Sequence, residues 1–195
     1  MELQKIGVKV FATAPNEIPL TDFIDIFHSW IQASDGVYHD VADYSHMQAG
    51  PGIVLVANDA NVSIDDTSDR RGLLYNHKAH LNGSNREKIH KVFRSAFENC
   101  WRLEQEPSLQ GKLKFSTDEL VFLINDRLLA PNTKETLAAL RPDLERVVRD
   151  LVGDASFTLE HNPDRRQRFS VMVRAAKPFQ SDKLIADAGA VFQSC

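Results

Sequence analysis

Ile53-Val54-Leu55-Val56-Ala57-Asn58-Asp59-Ala60-Asn61-Val62-Ser63-Ile64 is the stretch that decides the fold class. A short apolar, β-branched run bounded by turn formers reads as a strand buried on both faces. Asn58 to Asn61 then reads as a turn, with Val62 and Ile64 opening the return strand of a hairpin. Asp65 to Arg70 turns the chain again, into Gly72-Leu73-Leu74-Tyr75 as a further strand. Strands joined by such short connections are antiparallel, because a parallel pair needs a crossover of roughly a dozen residues or more.

Upstream, Val8, Val10 and Ala12 mark a strand over 5–12, and Pro15 and Pro19 punctuate the segment after it. Phe23, Ile24, Ile26, Phe27, Trp30 and Ile31 recur at helical spacing behind Thr21-Asp22. Residues 34–51 are the least regular part, with a short strand over 37–42. Downstream, Ser84 and Glu87 form a capping box for a helix whose apolar face is Ile89, Val92, Phe93, Ala96, Phe97, Cys100 and Leu103. Lys112 to Phe115 and Leu120 to Ile124 read as a hairpin turning at Thr117-Asp118. Asn132 is the expected cap of a third helix carrying Leu137, Leu140, Leu144, Val147, Val148 and Leu151, with Pro142 kinking or dividing it and Gly153 closing it. Phe157 and Leu159 pair with Phe169, Val171 and Val173 across Asn162-Pro163-Asp164, and a short helix is expected over 181–192.

The expected architecture is one α+β domain over 1–195, a largely antiparallel sheet with three main helices packed mainly on one side. Its predicted core includes Val54, Val56, Val92, Phe93, Phe97, Val121, Leu123, Leu140, Leu144 and Val147. Two echoes occur along the chain: Val54 to Asp59 resembles Val121 to Asp126, and Asp69-Arg70-Arg71 returns as Asp164-Arg165-Arg166. Strand-and-turn chemistry accounts for both without a duplication, which would require a fixed period.

The 195 residues carry 23 Lys and Arg against 27 Asp and Glu, a net charge of −4, with 43% hydrophobic residues. That composition excludes a disordered chain or a disulfide-stapled miniprotein. The acidic balance argues against a general nucleic-acid binder, which needs surplus cations to displace phosphate counterions. Cys100 falls in an apolar helical pattern and Cys195 is the last residue, so no structural disulfide is expected. Met1-Glu2-Leu3-Gln4-Lys5 has neither the basic nor the apolar region of a signal peptide, and no apolar run approaches a membrane span. A soluble cytoplasmic protein is expected.

The densest polar cluster is His39-Asp40-Val41-Ala42-Asp43-Tyr44-Ser45-His46. Imidazole and carboxylate are ligand types for zinc, manganese or iron, which makes Asp40, Asp43 and His46 the candidate metal ligands, with His77 or His80 completing a set. The plainer account is that turns favour Asp, and no established metal signature is present. A divalent metal is therefore possible but not favoured, and no other cofactor is indicated. A second candidate is an anion pocket built from Gly50-Pro51-Gly52, the helix start at Asn82-Gly83-Ser84-Asn85, and the side chains Arg70 and Arg71. Asn125, Asp126 and Arg127 follow an apolar strand and make a third candidate, since polar groups at strand ends line many sites. Satisfied turn backbone is the plainer account there too. Nucleophilic catalysis has no support, because a Gly-x-Ser-x-Gly elbow is missing.

The leading expectation is a protein that binds a small ligand or a protein partner as a homo-oligomer, with Arg70, Arg71, Asn125, Asp126 and Arg127 as candidate contacts. The oligomer follows from the frequency of symmetric assemblies and from the aromatic load of the first helix. The alternative is a metal-dependent hydrolase or isomerase using the 39–46 cluster.

Overall fold

The computed structural model describes residues 1–13, 17–47 and 50–181. Strands β1 (Ile6–Ala12), β2 (Tyr38–Tyr44), β3 (Gly52–Ala57), β4 (Ala60–Asp65), β5 (Gly72–His77), β6 (Phe115–Ile124), β7 (Phe157–His161) and β8 (Phe169–Ala175) form one sheet. Their order is β2-β3-β4-β5-β1-β6-β8-β7 and every neighbouring pair is antiparallel. Helices α1 (Asp22–Ala33), α2 (Asn85–Glu104) and α3 (Lys134–Val152) complete an α+β fold.

The chain builds the sheet outward from its centre twice. β1 leads through α1 to the edge strand β2 and returns inward along β3, β4 and β5. Its neighbour β6 leads through α3 to the opposite edge strand β7 and returns along β8. The strand equivalent to β6 is thus β1, whereas the sequence echo sets β6 beside β3. The echo reflects shared strand-and-turn chemistry.

Alternation along each strand sorts the sheet into two faces. Ile6, Val8 and Val10 of β1, Leu73 and Tyr75 of β5, Leu120, Phe122 and Ile124 of β6, and Phe169, Val171 and Val173 of β8 join the helices' apolar faces in one core. α2 crosses β1 and β5, and α1 lies against β2 and β3. Phe23, Phe27 and Trp30 of α1 are fully buried within the chain. The aromatic load of this helix is therefore consumed by its own core, and it gives no reason to expect an oligomer.

The capping box at Ser84 is present, with its side chain accepting from the Glu87 amide. The third helix starts one residue later than the sequence suggests. Thr133 is its cap, accepting from the Thr136 amide. Asn132 is instead buried, donating to the Asp164 carbonyl at 2.8 Å and bonded to His161 Nε2 at 2.7 Å. Pro142 does not divide α3. It lies on the exposed face, as does Ala138, so water can reach the carbonyl that loses its partner. The expected hairpin at 112–124 is a single strand. β6 runs through Thr117-Asp118, with a register irregularity opposite Val10 and Ala12 and with Ser116 Oγ bonded to Asp118. The segment read as mostly loop is the edge strand β2, longer than the 37–42 expected. An edge strand needs no apolar face, so its periodicity is weak. Apart from Ser181, the terminal helix expected over 181–192 lies outside the described residues.

Candidate ligand-binding cleft

The face of the sheet opposite the helices carries Val54 and Val56 (β3), Ser63 and Asp65 (β4), Gly72, Leu74 and Asn76 (β5), Gly7, Lys9 and Phe11 (β1), Glu119, Val121 and Leu123 (β6), and Ser170, Met172 and Arg174 (β8), by the strand registers. No α-helix among the described residues covers it, yet Phe11, Leu74 and Leu123 are buried, as are Lys9 and Asp65. Long charged side chains provide the roof. Their apolar stems lie on the sheet while their heads pair with one another.

Two glycines make this arrangement possible. Lys9 on β1 lies diagonal to Gly72 on β5, and Asp65 on β4 is the partner of Gly72. A Cβ on Gly72 would stand 3.1 Å from Lys9 Cε and 2.5 Å from the Val10 carbonyl oxygen. With only hydrogen there, the lysine stem crosses β5 and its ammonium donates to Asp65 Oδ1 at 2.5 Å and to the Thr67 carbonyl at 3.2 Å. Asp65 also accepts from the Thr67 amide and hydroxyl. Burial pushes Lys9 below its ordinary value, and the hydrogen bond and charge of Asp65 act against that shift. At Gly7 a Cβ would come within 2.3 Å of Asn76 Oδ1. Asn76 occupies that space and accepts from Asn125 Nδ2 at 2.7 Å, while Asn125 Oδ1 accepts from Arg168 Nη1 at 2.9 Å.

Around this centre the charges are paired. Arg70 stacks on the Phe11 ring, 3.6 Å from its centroid, and makes a two-pronged contact with Glu119 at 3.1 and 2.8 Å. Arg174 bridges Glu119 and Glu160. The hydrogen bond from Arg70 holds the Glu119 carboxyl below the usual carboxylate range. These groups border a cleft of about 740 Å³, whose floor is Val121, Leu123 and Met172 and whose rim includes Lys9, Asp65, Arg70, Glu160 and Arg168. That volume lies within the span of small-molecule sites, and the mixture of apolar floor with a few directed polar groups is their common composition.

The structure distributes the sequence candidates unevenly. Arg70 lines the cleft, and Asn125 positions Arg168 beside it. Arg71 is tied to Asp66 at 2.8 and 2.9 Å and to the Ile18 carbonyl, bracing the turn before β5. Asp126 accepts from the Leu128 and Leu129 amides, and Arg127 donates to the Arg166 carbonyl, both serving turn backbone. Asn85, at the start of α2, binds the Leu3 amide and the Met1 carbonyl, so that helix end is engaged by the N-terminal segment.

Asp40 and Asp43 stand three residues apart on one strand, which sends them to opposite faces. Each bonds a nearby backbone amide, that of Val41 or of Ser45, and His46 sits in the following turn. His77 is buried on β5, three strand spacings or about 14 Å from β2. His80 follows β5 and lines a separate depression with Met1 and Leu129. Among the described residues no three His, Cys, Asp or Glu side chains gather so as to hold a metal ion. No helix among them is long and apolar enough to cross a membrane.

Lys9, Asp65, Glu119, Glu160, Arg168 and Arg174 were not singled out by the sequence. One signal was available: Lys9 is the only charged residue in Ile6–Ala12. The chain matches no family model, no curated protein and no solved structure.

Proposed function

We propose that this protein binds a small, partly apolar molecule on the open face of its sheet. The observation that carries the reading is the cleft over β1, β6 and β8, on the face that the described helices leave free. Its apolar floor offers burial to a ligand's hydrocarbon, worth roughly 25 cal/mol per Å² removed from water. Its rim is already organised by ion pairs and amide contacts, so little ordering is needed on binding. The self-roofed surface also favours a small molecule over a second protein layer, since Phe11, Leu74 and Leu123 are already out of water and Val121 and Met172 are the half-exposed apolar side chains in the cleft.

A thermal-shift screen of small organic compounds tests this, with Ser170→Trp as the comparison chain. Ser170 lines the cleft, and an indole there would fill it. Compounds that raise the Tm of the wild-type chain should leave the variant unmoved. Equal shifts in both chains would place the binding elsewhere.

A further inference from the structure

Among the described residues, Arg168 is the charged group bordering the cleft that makes no direct ion pair. Lys9 has Asp65, Arg70 has Glu119, Glu160 pairs with Arg174, which also reaches Glu119, and Asp164 pairs with Arg166. Arg168 makes no ion pair among the described residues, and its hydrogen-bond partner is the neutral amide oxygen of Asn125. A guanidinium is a planar fork of N–H donors, so most of its donors meet no acceptor among the described residues. The fork is nonetheless held in place, because Asn125 is braced by Asn76, which lies in the gap above Gly7. Arg168 also borders two depressions, the main cleft and the neighbouring one over β3, β4 and β5.

The local charge points the same way. Lys9 and Arg168 are close enough for each to sense the same carboxylate, Asp65, and for the arginine's charge to oppose the lysine's. Asp65 thus serves both cations in a partly desolvated cleft, with Asp66 acting on Lys9 as well. Burial lowers the Arg168 guanidinium from its ordinary value and the charge of Asp65 acts against that shift, as for a cation held partly out of water.

Resting on the cleft as the binding site, we infer that the ligand is an anion with an apolar body, its carboxylate or phosphate oxygens held by the Arg168 fork. A planar guanidinium suits either group, through two parallel N–H···O bonds. The apolar body would lie toward Val121, Leu123 and Met172. Arg168 serves as the anchor, while Asn125 and Asn76 are positioning residues.

Hexanoate, hexyl phosphate and hexanamide share one tail and differ in the head, so titrating each into isotope-labelled protein and following backbone amides by NMR is a direct test. The acids should shift amides of β1, β6 and β8, and bind at least about tenfold more tightly than hexanamide, the scale of a charge-assisted hydrogen bond. Preference between carboxylate and phosphate identifies the head group. Arg168→Gln should remove the advantage of the acids over hexanamide, while Arg168→Lys, keeping the charge and losing the fork, should retain part of it. Each variant's own spectrum reports whether it is folded. Equal affinity for all three probes in the cleft would overturn the anion inference and leave the cleft reading standing. Shifts from none of them in the cleft, or from the acids only outside it, would overturn both.

Discussion

Replacing Asp65 with Ala should be among the most damaging single changes outside the helix-facing core. Asp65 is 2% exposed and Lys9 6% exposed, on the sheet face opposite α1, α2 and α3. The substitution removes the ammonium's 2.5 Å partner together with two hydrogen bonds from Thr67, and leaves a buried cation facing one carbonyl at 3.2 Å. Breaking a buried pair from one side costs about 3–5 kcal/mol, because the remaining charge stays desolvated. Removing both charges should cost far less, so Lys9→Met combined with Asp65→Leu should recover most of the loss. Urea unfolding of the four chains gives the coupling directly from the midpoints, provided the slope is unchanged. The cycle should also change little with added salt, unlike one on the exposed Arg86–Asp150 pair. A cost for Asp65→Ala below about 1 kcal/mol, the range of surface pairs, would show that this face is neither self-roofed nor dry.

Phe97, buried in the common core, should lose about 3–5 kcal/mol on change to Ala in the same unfolding assay. Gly7→Ala should destabilise and shift the Asn76 and Asn125 side-chain amide signals, since its Cβ would meet Asn76 Oδ1 at 2.3 Å and the Tyr75 carbonyl at 2.8 Å. Thr133→Ala should cost ~1 kcal/mol as the true cap of α3. Burial holds His77 and His161 below their ordinary imidazole value of 6.5, so the unfolded chain takes up protons there before the folded one does. Their contribution is complete above that pH and falls as pH drops below it, and His77→Gln should flatten the loss in a series of unfolding curves.

Elements with a strong apolar period were legible from sequence: the α2 face and its cap at Ser84, the β3–β4 hairpin and the α3 face all stand where their spacing put them. Val56 and Val121 mark the limit of that reading. Both belong to runs apolar on two faces, yet both are only half-buried, because charged stems and not a second layer cover their side of the sheet. The cleft was hidden for the same reason. Its polar members come from Lys9 of β1, Asp65 of β4, Glu160 of β7 and Ser170 of β8 and from the turns before β5 and β8, segments far apart in the chain that only the sheet order brings together. The dense cluster at 39–46 reflects the charge that protects an edge strand from pairing.

Whether the open face of the sheet is where this protein binds is decided by mapping fragment binding on the isotope-labelled chain through backbone amide shifts. Shifts should gather at Lys9, Val121, Leu123, Ser170 and Met172, on strands whose other face packs the helices. Shifts confined to the helices, or a saturable response of Asp40, Asp43 and His46 to a divalent ion with the open face silent, would rule it out.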